Sequence, residues 1–561
     1  MRKQTKIAAV VSAAALLAIG ASMTSFAATG WQEEDGTWVY YNRAGEKVAN
    51  AWEYSGDNRF YLDDAGNMAT DSLIEDNDDY YYVDANGAMV RNRWVAIDNE
   101  EAGEENQPDV WWYYFQANGK AYKNSHASGT IFKKVINGKT YCFDEDGKMQ
   151  YGWVKKDDGV TNYDDNAYQE CDYYFGDEND GAMSVGWREI ALTDVADADT
   201  EQPGDSYWDS DQVRWFYFKS SGVKQTSSTN KTINGRKYGF DEWGRMIADW
   251  HAATANNADN ELSRRGSMNN ATVAATKSYA REFMYFSSPE DGARFTKGWF
   301  KVVPGYYLNY KDYDDGTDRW YYANGDGKIA AGEIKAIKGK KYAFDLKGGM
   351  ISGLALLRTN GKEISEYADS DGKYDSQESF ETTARSMGSD WGFYYFSDNE
   401  DKDGSMKTGN QRISLDGENF TFSFRKGGTR KGEGITGPNE KKYYLGGMLM
   451  TASVDNKIEL LNKNTLERVT VDKFVRDNGL VGKDVTSGKV GQANKDDVVY
   501  TDGTTGTSGT ATGLDITSLT SDYVVINVSG NVVKSGSKVD GDGYKVVLDG
   551  SNRIKQIIAT K

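Results

Sequence analysis

The sequence is poor in the residues that most often carry catalysis. Among 561 residues it has 2 cysteines and 2 histidines, His126 and His251, and both histidines are predicted to lie in loops. No His-Glu-x-x-His pair, zinc-type cysteine spacing, Gly-x-Ser-x-Gly turn or phosphate-binding loop stands out. The aspartate-rich turn from Asp398 to Gly404 lacks the glutamate that closes an EF-hand loop. We therefore predict that the chain is not an enzyme and has no catalytic residue, metal site or cofactor.

Basic residues are scarce relative to acidic ones. Lysine and arginine total 66 against 85 for aspartate and glutamate, which gives a formal net charge of −19. Phosphates would repel such a chain, so we expect no nucleic acid partner. Simple charge attraction to anionic wall polymers is disfavoured as well, whereas neutral glycans and cationic groups are compatible with this charge.

Long apolar runs are confined to the N-terminus. Ile7 to Ile19 is almost wholly apolar, basic residues precede it, and Ser25-Phe26-Ala27 offers small residues before a cleavage point. Residues 1–28 are therefore predicted to be a secretory signal peptide, with a membrane anchor as the alternative. Residues 554–561 carry no hydrophobic tail. The prediction is a secreted protein with no transmembrane anchor after cleavage, which could stay on a cell surface only by non-covalent attachment.

Proline is rare, at 5 residues, whereas glycine reaches 61 and tyrosine 37. These residues recur in one frame: an aromatic cluster, a few polar residues, a glycine and often a methionine. Trp112, Tyr113, Tyr114 and Phe115 define its first four positions, and a Gly-Trp pair often accompanies it. The frame matches residue for residue in segments 38–45, 112–119, 215–222 and 320–327.

This frame predicts a β-hairpin. Aromatic side chains suit a half-buried strand, and an Asn/Asp-rich step that ends in glycine suits a tight turn. A single hairpin is marginal in water, so the copies are expected to stack. We predict an all-β fold, with residues 29–452 forming a solenoid of about 14 stacked β-hairpin repeats.

A higher order is superimposed on the repeats. Four units are shorter and lack the leading tryptophan, and their turn glycines lie roughly 100 residues apart. These glycines are Gly147, Gly244, Gly348 and Gly446. Two longer units precede each short one, so we predict four triplets after two introductory hairpins.

Acidic insertions interrupt the array and are predicted to be exposed loops, with a helical turn or two at 271–283. They span 99–109, 193–212, 252–276 and 363–390. The repeats end near Ser453. Residues 453–561 are predicted to be a small β-rich C-terminal region of unknown role, or a loosely folded tail, with strands near 523–528, 531–533, 544–548 and 554–559.

Both cysteines, Cys142 and Cys171, fall within the repeats. Export would permit a disulfide between them, but one pair in so long a chain does not define a disulfide scaffold. We predict two small buried thiols, with a disulfide as the alternative.

The combination of Gly-Trp, Gly-x-Trp-Tyr-Tyr and Gly-x-Met resembles the cell-wall-binding repeats of Gram-positive bacteria over about three quarters of the chain. That group includes choline-binding repeats, glucan-binding repeats and the C-terminal repeats of large clostridial toxins. The units with tryptophan resemble the choline type, and the short units resemble the toxin type. The resemblance implies a carbohydrate-binding surface protein whose partners are cell-wall polysaccharide, teichoic-acid choline or glucan.

In choline-type repeats, two aromatics from one hairpin and one from the next surround a quaternary ammonium, whereas in glucan-type repeats aromatics stack on sugars. The positions that match this pattern are the candidate ligand-binding residues. They are Trp31, Trp38, Tyr40, Trp52, Tyr61, Trp94, Trp112, Tyr114, Trp153, Tyr174, Trp187, Trp215, Tyr217, Trp299, Trp320 and Tyr322. Trp250, Tyr82, Tyr285 and Tyr395 occupy matching positions.

Three short units depart from the pattern. Their third position holds Cys142, Gly239 or Ala343 instead of an aromatic residue. A cage without one wall should not bind, so these hairpins are predicted to be structural spacers. The insertions also interrupt the stacking that such cages need, which weakens the case for choline.

Two other hypotheses follow from the same sequence. The chain could be a wall-modifying enzyme or accessory with its activity in residues 453–561. It could instead be a structural or host-adhesion surface protein, an adhesin whose aromatics serve packing alone.

Overall fold

The computed structural model describes residues 29–125, 130–157, 159–164, 166–192, 212–252, 277–305, 308–368, 374–397, 403–483, 490–491, 498–501, 516 and 518–560. The predicted signal peptide, His126 and most of the insertions at 193–212 and 252–276 lie outside these residues. The chain divides into two compact units. Unit 1 comprises residues 1–248 and 288–293, and unit 2 comprises residues 249–287 and 294–561.

Unit 1 is built from antiparallel hairpins, most of them two-stranded. Its elements are β1 (Gly30–Glu34), β2 (Thr37–Tyr41), β3 (Ala51–Ser55), β4 (Asn58–Leu62), β5 (Ser72–Asp76), β6 (Asp79–Val83), β7 (Arg93–Asp98), β8 (Val110–Phe115), β9 (Lys133–Ile136), β10 (Lys139–Phe143), β11 (Met149–Gln150), β12 (Gly152–Val154), α1 (Ala167–Glu170), β13 (Tyr173–Asp177), β14 (Asp180–Met183), β15 (Gly186–Leu192), β16 (Gln212–Phe218), β17 (Ser228–Ile233) and β18 (Arg236–Phe240).

The repeat part of unit 2 begins with hairpins of the same kind and continues into two five-stranded sheets. Its elements are β19 (Asp249–Ala252), α2 (Lys277–Ala280), β20 (Phe283–Phe286), β21 (Gly298–Val302), α3 (Tyr310–Asp314), β22 (Arg319–Ala323), β23 (Glu333–Ile337), β24 (Lys340–Phe344), β25 (Gly353–Asn360), β26 (Glu363–Ala368), α4 (Gln377–Ser386), β27 (Trp391–Phe396), β28 (Gly409–Leu415), β29 (Glu418–Phe424), β30 (Gly437–Asn439), β31 (Lys442–Leu445) and β32 (Met448–Leu449).

The C-terminal region of unit 2 forms a three-stranded sheet in the order β34-β33-β38 and a six-stranded sheet in the order β36-β35-β37-β41-β40-β39. Its elements are β33 (Ile458–Asn462), β34 (Arg468–Val469), α5 (Val471–Asp477), β35 (Leu480–Lys483), β36 (Val490–Gly491), β37 (Val498–Thr501), β38 (Tyr523–Asn527), β39 (Gly536–Val539), β40 (Tyr544–Leu548) and β41 (Ile554–Ala559). The predicted all-β class of stacked hairpins with a β-rich C-terminal region is confirmed.

Turn chemistry explains why the repeat frame folds as a hairpin. Between β9 and β10, Asn137 and Gly138 have φ values of 49° and 82°. Two successive positive φ values are what a tight two-residue hairpin turn requires, and Asn-Gly adopts them at low cost. Each hairpin is therefore specified by a few adjacent residues.

The Gly-x-Met step explains how hairpins stack. A methionine that follows one turn glycine packs over the turn glycine of the next unit, so that Met68 covers Gly87 and Met89 covers Gly119. A Cβ atom added to Gly87 would lie 2.8 Å from the Met68 sulfur. Glycine is thus required both for its positive φ and for this close approach between neighbouring hairpins.

Two sequence-based expectations about loops are wrong. The insertion at 363–390 contains β26 and α4. Its helix is capped by Ser376 and Ser379, and it buries Phe380 and Ala384 against the aromatic core of unit 2. The second error concerns His251, which lies in β19 and is buried.

We expect the turn carboxylate of Asp345 to make the folding stability of unit 2 depend on pH. Its Oδ1 accepts hydrogen bonds from the backbone N–H groups of Lys347 and Gly349 at 2.8 and 2.9 Å. Burial raises the pKa of Asp345 to about 6. Because the folded pKa lies above the unfolded value of about 4, its favourable contribution is complete below that pH and is lost as the pH rises through about 6.

We predict that Asp345→Asn stabilises the chain above pH 7 and has little effect near pH 4. Asn324 shows that the amide fits, because its Oδ1 accepts the same two backbone hydrogen bonds in the preceding turn. The expected gain is on the order of 1–2 kcal/mol, because neutral asparagine needs no ionisation in this half-buried turn. Denaturant unfolding at both pH values measures it, and an equal effect at the two pH values would refute this assignment.

Candidate functional site

The hairpin register brings the predicted tryptophans and tyrosines together. The tryptophan of the first strand lies directly opposite the third-position tyrosine of the second strand, and their ring centroids are 5.0 to 5.4 Å apart. The cross-strand pairs are Trp31–Tyr40, Trp52–Tyr61, Trp94–Tyr114, Trp153–Tyr174, Trp187–Tyr217, Trp250–Tyr285 and Trp299–Tyr322.

The following hairpin supplies another ring to each tryptophan. It comes from the second frame position and lies 4.8 to 5.3 Å from the tryptophan centroid. These rings belong to Phe60, Tyr81, Tyr141, Phe216, Tyr238, Tyr321 and Tyr342. Each tryptophan therefore contacts rings from two successive hairpins.

A second tryptophan stands at the first frame position in four of these hairpins. Trp215 lies 6.2 Å from Trp187 with the ring planes at 85°. Trp320 lies 6.5 Å from Trp299 at 82°. The two indoles of each of these two hairpins therefore meet at nearly a right angle. All four side chains, Trp187, Trp215, Trp299 and Trp320, are only partly buried.

We call three such sets the paired-Trp sites. Each combines two tryptophans of one hairpin with the tyrosine of the short unit that follows. The sets are Trp94, Trp112 and Tyr141; Trp187, Trp215 and Tyr238; and Trp299, Trp320 and Tyr342. In all three, the tyrosine centroid lies 4.8 Å from the first tryptophan. Trp31 and Trp38 form the corresponding pair in the introductory hairpin β1–β2.

The remaining three tryptophan hairpins lack the second indole. Their first frame positions hold Arg59, Asp172 and Phe283. Groups of the chain itself lie against their tryptophans. The Arg59 guanidinium lies 4.9 Å from the Trp52 centroid, the Lys224 ammonium lies 5.5 Å from that of Trp153, and the Phe300 ring lies 5.8 Å from that of Trp250.

The tyrosines of the short units were missed as candidates by sequence reasoning. Tyr141, Tyr238 and Tyr342 stand at the second frame position, whereas the prediction of spacers considered only the third. The second position is aromatic in each of these units, which was the available signal. The short units thus place a ring against the tryptophan of the hairpin before them.

The third-position tyrosines Tyr174 and Tyr285 are partly buried. Burial raises the pKa of Tyr174, with Arg188 opposing and Asp177 reinforcing the shift. Burial also raises the pKa of Tyr285 to about 12. Phenols held neutral in this way act as apolar walls at any physiological pH.

The cysteines are unpaired and buried, as the sequence suggested. Burial raises the pKa of Cys142 to about 12 and that of Cys171 to about 11. Both thiols therefore stay protonated and behave as small apolar groups.

The described part of the chain holds neither a metal-binding cluster nor a membrane-spanning helix. Within the described ranges, no group of three or more histidine, cysteine, aspartate or glutamate side chains is arranged to hold a metal ion. Among the same residues, no helix is long and apolar enough to cross a membrane.

The predicted resemblance of these repeats to choline-type cell-wall-binding repeats is confirmed by a family model. Residues 46–88 match the family model described as a choline-binding repeat. This segment includes β3–β4 and β5–β6 with their turn glycines.

One curated relative is glucosyltransferase-S of Streptococcus mutans. It is 28% identical over 370 residues, which cover 60% of this chain and 22% of that protein. The chain thus matches about a fifth of the relative's length.

Two solved structures from Streptococcus pneumoniae are similar. Choline binding protein F, in the presence of a peptidoglycan analogue, is 17% identical, covers 73% of this chain and 100% of its own, and has a TM-score of 0.30. The modular autolysin LytC, in complex with a synthetic peptidoglycan ligand, is 17% identical and has a TM-score of 0.30. The match covers 63% of this chain and 59% of the autolysin chain.

Proposed function

We propose that this chain is a secreted, wall-associated binding protein that holds choline-bearing wall polymers at its paired-Trp sites. The near-perpendicular arrangement of two indoles beside a third ring supports this proposal most directly. A quaternary ammonium donates no hydrogen bond and is attracted to aromatic faces, most strongly to tryptophan. Three rings in different planes can contact such a cation from several sides.

The distribution of charge and polar groups fits a cationic ligand. The chain carries a formal charge of −19. The indole N–H of Trp112 is buried without a hydrogen-bond partner. An oxygen atom attached near the ammonium group of the ligand would satisfy this donor, which is otherwise costly to bury.

Repetition compensates for weak individual sites. The same three-residue set recurs in three successive predicted triplets. In the fourth, hairpin β28–β29 has Asn410 at the position of the first tryptophan and Ser423 at the position of the tyrosine opposite it. A polymer with many choline groups can occupy several sites at once, so the overall affinity for the polymer exceeds the affinity of any single site for choline. This multivalency would hold the chain on the cell wall without a covalent bond. We propose that the chain binds the wall and does not catalyse a reaction on it.

Binding of glucan is the second candidate. It is favoured by the sequence similarity to glucosyltransferase-S. The same partly buried indoles could stack on sugar rings. Competition between soluble choline and soluble glucan separates the two candidates.

We expect the full chain to be retained on purified choline-bearing cell walls and to be released by free choline. Ethanolamine should require at least about tenfold higher concentration, because it lacks the methyl groups that contact the ring faces. Sedimentation with walls measures retention. Release by glucan alone would favour the second candidate, and failure to bind any wall or glucan fraction would refute both.

Catalysis is tested on the same preparation. A zymogram on peptidoglycan should show no zone of lysis. A clear zone would overturn the proposal of a binding protein without catalysis and favour activity in residues 453–561.

A further inference from the structure

A cleft in unit 1 is built differently from the paired-Trp sites. It encloses about 520 Å³ between β12, β13, the end of β15 and residues 161–164, which precede α1. This volume is within the range of about 300–1,000 Å³ that is usual for small-molecule sites.

Four aromatic rings line the cleft. Trp153 and Tyr174 form a cross-strand pair with centroids 5.1 Å apart. Tyr151 and Tyr163 lie 6.0 Å apart with ring planes at 61°. Tyr163 is 39% exposed, so its ring is accessible from solvent. Trp153 is buried behind this pair, so Tyr151 and Tyr163 are the rings that offer apolar faces to a flat or saturated ring.

Three exposed carboxylates lie at the same cleft: Asp164, Asp177 and Glu178. No lysine or arginine is among the described residues that line it. The Oδ1 atom of Asp177 accepts hydrogen bonds from the backbone N–H groups of Asn179 and Asp180, both at 2.9 Å, which fixes the orientation of this carboxylate. The lining is therefore anionic as well as aromatic.

A polar group in the lining also lacks a partner. The Oδ1 atom of Asn162 accepts a hydrogen bond from the backbone N–H of Asp164 at 3.0 Å. The Nδ2 atom of Asn162 is buried and has no acceptor. A buried donor without an acceptor is unfavourable, so an incoming oxygen would be stabilised there.

We propose that this cleft binds a saccharide that carries a free amino group, such as a de-N-acetylated hexosamine unit of a glycan. Its ammonium group donates hydrogen bonds to the carboxylates, a hydroxyl oxygen accepts from Asn162, and the sugar ring packs on Tyr151 and Tyr163. A quaternary ammonium meets the charge but donates no hydrogen bond to the carboxylates. The proposal goes beyond choline binding and does not depend on it, because the second indole of the paired-Trp sites is replaced here by Asp172.

Calorimetry with the full chain at low salt tests the proposal. The glucosamine disaccharide should bind at least about tenfold more tightly than the N-acetylglucosamine disaccharide, because acetylation removes the charged donor. The double variant Asp164→Asn, Glu178→Gln should weaken binding of the glucosamine disaccharide by at least about tenfold. Tyr163→Ala should also weaken it, since it removes one wall.

Matched controls separate the cleft from general effects. Glu189→Gln removes an exposed carboxylate of β15 that does not line the cleft, and Tyr310→Ala removes a tyrosine that is 52% exposed in unit 2. Neither should change the affinity, and all variants should melt like the parent chain. Equal binding of the two disaccharides, tighter binding of oligolysine, or no effect of the double variant would each overturn the proposal. Choline retention of the double variant is measured in parallel, because loss of one activity without the other distinguishes the two sites.

Discussion

Replacing Trp112, Trp215 and Trp320 together by leucine should lower retention on choline-bearing walls by at least about a hundredfold and leave the chain folded. Each of these indoles is the second wall of a paired-Trp site and is only partly buried. A cation–π contact with a desolvated indole contributes about 1–2 kcal/mol, which corresponds to roughly tenfold per site. Loss at three sites multiplies, because retention depends on simultaneous occupancy.

The neighbouring residue in β8 provides a matched control. Trp111 directly precedes Trp112, and successive side chains of a strand point to opposite faces. Trp111→Leu should therefore leave retention unchanged, whereas Trp112→Leu alone should reduce it several-fold. Thermal unfolding of each variant checks the fold. If the triple variant is retained like the parent chain, the paired indoles serve packing and the proposed function is wrong.

Truncation after Ala452 should destabilise the fourth triplet strongly. Leu461, Leu466 and Ile526 of the C-terminal region lie in the same apolar core as Phe422 and Phe424 of β29. Removal of a buried leucine or isoleucine side chain usually costs about 2–5 kcal/mol, so loss of all three is comparable to the whole stability of most domains. The truncated chain should expose this core and unfold at a lower temperature.

Polar contacts tie the same two regions together. Arg468 of β34 forms an ion pair with Glu381 of α4, which also pairs with Arg385. The backbone N–H of Ala452 donates a hydrogen bond to the carbonyl oxygen of Asn527 at 3.1 Å. The expected boundary at residue 453 therefore lies where hydrogen bonds, ion pairs and a shared core connect the two sides.

Point variants keep this prediction testable if the truncated chain cannot be purified. Leu461→Ala and Ile526→Ala should each cost about 2–5 kcal/mol in denaturant unfolding. Val539→Ala should have almost no effect, because that side chain is 54% exposed. A truncated chain that melts like the full chain would show that the repeats of unit 2 are stable without the C-terminal region.

Much of the fold could be predicted because its information is local. The Asn137-Gly138 turn, the alternation of aromatics along β10 and the recurrence of turn glycines lie within a few residues of one another. Helix α4 was missed because its cap, Ser376, and its buried face, Phe380, stand in an acidic segment whose average composition is that of a loop. Average composition conceals a short amphipathic pattern.

The candidate site was predictable only in part. The pairing of Trp187 with Tyr217 follows from hairpin register, which the frame specifies. The contribution of Tyr238 depends on how the next hairpin stacks, and a sequence frame contains no contact between hairpins.

The sequence by itself determined the hairpin repeat and the all-β class, because turns and strand alternation depend on neighbouring residues; the grouping in triplets stays a prediction. Only the tertiary structure decided that the next hairpin places a ring beside each tryptophan, and that Arg59 and Lys224 lie against Trp52 and Trp153. It also decided that the C-terminal region packs into the core of unit 2. The physical reason is that the exposure of a side chain depends on groups that pack against it from distant parts of the chain. Whether an aromatic ring can contact a ligand depends on this burial and not on the residue type alone.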